Sequence, residues 1–185
     1  VWTEVTTSGI YSPTGEFIGI LGVTRDISER KRTEQRIAYM ARHDPLTDLP
    51  NRLLLEDRLR QALLASRRHH HQLALMFLDL DKFKPVNDQY GHAVGDLLLR
   101  AAAQRMLAQV RAADTVARIG GDEFVILLPV VQSAAAAVQV AEKIRAVLSQ
   151  PFDLQSVVVQ ISASIGVAIC PEHGSSDVEL RRQAL

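Results

Sequence analysis

The chain has 185 residues, 47% of them hydrophobic and 23% charged, with Lys+Arg and Asp+Glu both at 21. Zero net charge supplies no general pull toward nucleic acid or anionic lipid, so any phosphate site must be a local arrangement of residues. The length allows one full domain plus a piece of another, and a lone Cys170 excludes an internal disulfide and fits a reducing, cytoplasmic compartment.

The first 25 residues alternate like strands, with Trp2, Val5 and Ile10, then Phe17, Ile18, Ile20, Leu21 and Val23. Ser12-Pro13-Thr14-Gly15 between them is a turn signal, so a hairpin is expected over residues 1–26. Two strands cannot bury a core, which makes this the edge of a larger domain. From Asp26 the text turns charged, and Asp26 or Ser28 can cap a linker helix running to about His43. Ile37 and Met40 share a face of it, without sustained heptads. The second domain is expected over residues 44–185, opening at Asp44-Pro45.

Within it, Leu53, Leu54, Leu59 and Leu63 place a helix over Asn51 to about Arg68. His69-His70-His71 reads as an exposed loop, because three adjacent histidines cannot all face one metal. Leu73 to Leu80 is a buried strand, and a helix is expected from about Asp96 to Val110. Thr115 to Ile119 and Glu123 to Leu128 read as strands joined at Gly120-Gly121. Ala134 to Leu148 is helical and Val157 to Ile169 strand-rich. The fold class is α+β, with helices flanking a central mixed, mostly antiparallel sheet. The longest apolar runs, Leu73 to Leu78 and Phe124 to Val131, are too short to span a bilayer. The chain opens on Val1 without a signal-peptide pattern and reads as an excerpt, which leaves membrane anchorage of a parent protein open.

Two apolar stretches end in acids. Leu73 to Leu78 runs into Asp79-Leu80-Asp81, and the Gly120-Gly121 turn runs into Asp122-Glu123. Clustered anions beside a low-dielectric core repel one another unless a cation lies among them. Hard oxygen ligands at strand ends suit Mg²⁺, which binds through one or two carboxylates plus substrate phosphates. Strand alternation puts Asp79 and Asp81 on one face, so spacing does not choose between them. The segment between adds lysines, glycines for close backbone approach, and Asn87 and Asp96 as polar groups. Each alone has a bland alternative, Asn87 as a turn residue and Asp96 as a helix cap.

Taken in order, Asp44-Pro45-Leu46-Thr47-Asp48-Leu49-Pro50-Asn51-Arg52, Asp79-Leu80-Asp81-Lys82-Phe83-Lys84, Asn87-Asp88, Gly91-His92, Gly95-Asp96, Arg118-Ile119-Gly120-Gly121-Asp122-Glu123-Phe124 and Ser164-Ile165-Gly166-Val167-Ala168 resemble the GGDEF family of diguanylate cyclases. The resemblance covers Asp44 to Leu185. It implies a fold similar to the nucleotide-cyclase palm and a reaction that condenses two GTP into cyclic di-GMP with release of pyrophosphate. It implies Asp79, the Leu80 carbonyl and Asp122 as Mg²⁺ ligands (Mn²⁺ as the alternative ion), with Glu123 assisting the metal and the attacking hydroxyl. Asn87 and Asp96 would read guanine, and Lys84 would contact phosphate. Each protomer would hold one GTP, so a homodimer is implied for catalysis.

Residues 1–26 resemble the end of a PAS sensor domain, and Asp26-Ile27-Ser28-Glu29-Arg30 its exit into a linker helix. Arg111 and Asp114 match an Arg-x-x-Asp motif that the family uses as an inhibitory site for cyclic di-GMP. The wording Leu53 to Leu59 resembles GGDEF domains that precede a cyclic di-GMP phosphodiesterase domain, a C-terminal partner that a parent would carry. No nucleic-acid partner is expected. Asp48 stands where the family usually has Gly, and Pro85 is unusual but near a first helical turn. The family continues past Leu180 with a helix and a strand whose basic residues hold phosphates. The expectation is therefore a domain truncated at its C-terminus. The alternative reading is an inactive GGDEF module that binds GTP or cyclic di-GMP as a regulatory domain.

Overall fold

The structure, a computed structural model, describes residues 1–155 and 157–184, and Leu185, the last residue of the expected second domain, lies outside them. The chain divides into two compact units, Val1–Ala41 and Arg42–Leu185. In the first, β1 (Thr3–Tyr11) pairs antiparallel with β2 (Phe17–Asp26), from Thr3↔Asp26 to Tyr11↔Phe17. Ser12 closes the turn by accepting from the Glu16 N–H at 3.0 Å. Helix α1 (Ser28–Met40) follows, and Asp26 Oδ1 accepts from the Ser28 N–H at 2.8 Å just ahead of it. The helix stops at Met40, three residues before the expected His43. Trp2, Val5, Ile18, Ile20, Leu21 and Val23 are all exposed, as expected of a two-stranded ribbon without a second layer.

In the second unit, α2 (Arg52–His69) starts where Asn51 Oδ1 accepts from the Leu54 N–H, and ends on His70 in the left-handed conformation. The elements after it are β3 (Gln72–Asp81), α3 (Phe83–Tyr90), α4 (His92–Leu107), β4 (Thr115–Gly120), β5 (Glu123–Val131), α5 (Ala134–Leu148), β6 (Phe152–Leu154), β7 (Val157–Val159), β8 (Ser162–Cys170) and α6 (Asp177–Ala184). The main sheet has the order β4-β5-β3-β8, and each of its pairs is antiparallel. β6 and β7 form a separate antiparallel pair.

β3 lies between two partners and is covered on both faces, which explains its unbroken apolar text. Met76, Leu78 and Leu80 join Phe124 and Ile126 in the core under α4 and α5. Leu73 and Leu75 join Val125, Leu127, Ala168 and Cys170 in the core under α2 and α6. α6 packs against Gly166 on β8, where a Cβ would overlap the Ala184 carbonyl.

Further boundaries differ from expectation. α3 was anticipated only as a first helical turn near Pro85, because it is short and buries only Val86; Pro85 does sit in its first turn, where a missing N–H costs nothing. α4 begins at His92, not Asp96. Both glycines precede the expected start, but Gly91 caps the helix at φ 83° and Gly95 is buried inside it. The β4–β5 turn is Gly121-Asp122, not Gly120-Gly121, because Gly120 pairs with Glu123 across a bulge after Arg118. Gly121 adopts φ 52°, where glycine alone is free of Cβ strain.

Candidate active site

Antiparallel pairing brings the C-terminal end of β3 beside the N-terminal end of β5, so the acids from two distant sequence stretches meet. Asp79 faces Glu123 on one side and Ser164 on the other. Asp122, half-buried, occupies the turn next to Glu123. Partial burial, and then the charges of Asp122, Glu123 and Asp81, hold the Asp79 carboxyl above the ordinary aspartate range. Leu80 is buried on the opposite face, so only its main chain can serve the site, just past the last β3–β5 pair. Asp81 differs from Asp79 in its partners: it accepts from Ser162 Oγ at 2.6 Å and Ser164 Oγ at 2.9 Å.

A cavity of about 610 Å³ opens on this face, lined among others by Arg52, Phe77, Asp79, Ile119, Glu123 and Arg181. Among the described residues no three His, Cys, Asp or Glu side chains converge into a ready cation cage. The donor set still fits a hard divalent ion that keeps open positions for phosphate. Two carboxylates repel across the strand ends, and a cation between them removes that repulsion.

The turn is held by Arg118. Its Nε and Nη2 donate to the Gly121 carbonyl at 2.9 and 2.7 Å, and its Nη1 donates to both oxygens of Asp44 at 2.9 and 3.1 Å. Asp44 also accepts from the Thr47 N–H and hydroxyl at 2.9 and 2.6 Å. Burial alone would raise the Asp44 carboxyl, but the bonds from Thr47 and Arg118 outweigh it and hold it below the usual range. Asp48 adopts φ 60°, so it takes the left-handed geometry expected of a residue replacing Gly.

On the other side of the acids, β3 runs directly into α3. Lys82 forms its N-cap in the left-handed conformation, and no side chain caps the helix start. The Phe83 and Lys84 main-chain N–H groups have no intrahelical acceptor, as at any helix start, while Pro85 has no N–H to offer. Lys84 is exposed in that first turn. The half-buried Asn87 packs its Oδ1 against Gly95, at the spot a Cβ would occupy. Asp96, the next residue, is exposed inside α4 and does not cap it. The α3–α4 pair thereby brings Asn87 to the turn of α4 that carries Asp96. The sequence alone did not disclose the α3 N-terminus, the Arg118–Asp44 link, the Ser162 and Ser164 bonds, or the lining by Arg52 and Arg181.

Arg111 and Asp114 lie apart from these acids, in the turn between α4 and β4. Asp114 Oδ2 accepts from the Arg111 N–H at 2.8 Å, and the Asp114 N–H donates back to the Arg111 carbonyl. Both residues line a cavity of about 90 Å³ with Leu128 and Val131, far too small to enclose a nucleotide.

A family model described as diguanylate cyclase, GGDEF domain, matches residues 41–184. The chain belongs to the GGDEF family. It is 50% identical over 149 residues to the bifunctional diguanylate cyclase/cyclic di-GMP phosphodiesterase MucR of Pseudomonas aeruginosa, across 80% of this chain and 22% of that protein. It is 44% identical over 149 residues to the diguanylate cyclase TpbB of the same species, across 80% of this chain and 34% of that protein. The chain thus spans a fifth to a third of the length of these relatives. The solved GGDEF domain of TpbB superposes with a TM-score of 0.75 at 44% identity, covering 77% of this chain and 83% of that one. The coiled coil and GGDEF domain of DgcB from Caulobacter crescentus, solved in complex with c-di-GMP, gives 0.75 at 26% identity, covering 85% and 84%. Among the described residues no helix is long and apolar enough to cross a membrane.

Proposed function

We propose that this chain is the catalytic module of a diguanylate cyclase, joining two GTP into cyclic di-GMP with release of pyrophosphate. The observation that carries the reading is the meeting of Asp79, Asp122 and Glu123 at two adjacent strand ends in a GGDEF domain. Asp79, Asp122 and the Leu80 carbonyl would hold Mg²⁺, with Mn²⁺ as the alternative. The ion supplies charge neutralisation and polarisation of the phosphoryl oxygens. Glu123 lies beside Asp79 and assists at the attacking 3′-hydroxyl. The α3 N-terminus and Lys84 receive phosphate oxygens. Asp96 accepts from guanine N1–H and the 2-amino group, and Asn87 complements the other edge.

Each 3′-hydroxyl loses its proton as its oxygen bonds to the α-phosphorus of the other GTP and the bond to pyrophosphate breaks; the attack occurs twice, so two such bonds form, the ring closes and two pyrophosphates leave. Because each domain holds one GTP, two copies must meet face to face. Residues 1–26 read as the end of a PAS sensor and 27–43 as the linker that conveys its state. A longer parent, on the precedent of a bifunctional relative, would carry a phosphodiesterase domain after residue 185. Arg111 and Asp114 form a surface site at which cyclic di-GMP inhibits, with Arg111 donating to guanine O6 and N7. Such a ligand would lie across the turn and bridge to a second domain, in keeping with the small cavity there.

The test is incubation of the chain, and of a longer parent, with GTP and Mg²⁺, followed by chromatographic separation of products. Cyclic di-GMP and pyrophosphate from the parent, and neither from its Asp122→Asn variant, are expected. GTP bound but never turned over by the parent would instead establish an inactive regulatory module.

A further inference from the structure

The end of β3 carries two carboxylates on one face, and their surroundings separate them. Ser162 and Ser164 of β8 stand opposite Asp81 and Asp79 in register. Yet both hydroxyls donate to Asp81, Ser162 directly across the strands and Ser164 on the diagonal. A hydroxyl has one proton to donate, so Ser164 has none left for Asp79, its direct neighbour. Each Asp81 oxygen is occupied by one serine. Resting on the metal reading above, we infer that Ser162 and Ser164 are positioning residues that hold Asp81 outside the cation site, leaving Asp79 and Asp122 as its carboxylate ligands.

A third carboxylate would change the chemistry. Affinity for a hard cation rises with the number of charged ligands, and each added ligand takes a position that substrate phosphate would otherwise fill. A site for nucleotidyl transfer works with an ion that arrives and departs with phosphates. Sequestering Asp81 keeps the coordination positions open.

Titration of the nucleotide-free 185-residue chain with Mn²⁺, with free ion read by electron paramagnetic resonance, tests this. The Ser162→Ala/Ser164→Ala variant is expected to bind Mn²⁺ roughly tenfold more tightly, because Asp81 is released to join the ion. Adding Asp81→Asn to that variant returns the affinity to the wild-type value. Ser162→Thr/Ser164→Thr, which keeps both hydroxyls, stays at wild type. Serines that merely fasten an edge strand predict equal or weaker binding in the alanine variant, and that result overturns the inference. Asp79→Asn separates the underlying reading: it is expected to lose Mn²⁺ binding, and unchanged binding there overturns the metal site itself.

Discussion

Arg118 joins the Gly121 carbonyl to Asp44, and both charged side chains are largely buried, at 12% and 17% exposed. Removing Arg118 leaves the partly buried Asp44 charge with only the Thr47 bonds to compensate it, and frees the Gly121 turn. Arg118→Ala is therefore expected to cost about 3 kcal/mol of folding stability in urea unfolding. Arg118→Lys should recover little, since an ammonium cannot span the carbonyl and both carboxylate oxygens at once. The same pair sets an acid limb. A carboxyl depressed on folding stabilises the native state above its unfolded value, near pH 4, and that contribution is lost as pH falls through the lower native value. The wild type should lose stability across that window, and Asp44→Asn should show a lower plateau with a shallower acid fall. Asp79 has the opposite sign: its carboxyl is raised, so its ionisation works against the fold. Without metal, Asp79→Asn should raise the melting temperature at pH 7 by about 1–2 °C, since an exposed, screened charge contributes well under 1 kcal/mol.

At the scale of elements, the α3–α4 pair depends on one missing side chain. In an isolated helix Gly95→Ala would stabilise by about 1 kcal/mol. Here the new Cβ overlaps the Asn87 side chain, which must swing away from the turn that carries Asp96. Gly95→Ala in the parent is expected to leave circular dichroism intact and weaken GTP binding by about tenfold, the loss of roughly one hydrogen bond to the base. Calorimetry with GTP checks it, and unchanged affinity would remove Asn87 from the base site. The α6–β8 contact is stricter, because the overlap at Gly166 is with a main-chain carbonyl and not a movable side chain. Gly166→Val should cost about 1–3 kcal/mol of stability by displacing α6.

For the whole molecule, a reaction that joins two bound nucleotides depends on how often two domains meet. Specific activity of the parent is expected to rise with protein concentration until dimers saturate, read from initial rates over a dilution series. A specific activity independent of concentration, from a protein that ultracentrifugation shows to be monomeric, would contradict the face-to-face arrangement. Added cyclic di-GMP should lower those rates, and Arg111→Ala should relieve the inhibition with little effect on the initial rate. Superimposable inhibition curves would sink the Arg111 and Asp114 assignment.

Local chemistry was enough for much of this. The apolar run at Leu73 to Leu78, the helical period over Leu53 to Leu63 and the alanine-rich stretch from Ala134 each name their element, because one period matches one secondary structure. The acids at Asp79-Leu80-Asp81 and Asp122-Glu123 stand out against those runs, and their motifs carry the family. What the text could not disclose depends on pairing between distant segments. Gly95 reads only as a glycine ahead of a helix until Asn87 is seen packed against it. Asp79 and Asp81 are equivalent by alternation until β8 brings two serines to one of them. Arg118 is a strand cation until Asp44, 74 residues earlier, meets it in space. Periodicity is a property of neighbours along the chain, whereas which hydroxyl or guanidinium meets which carboxylate is decided only when the sheet sets its register.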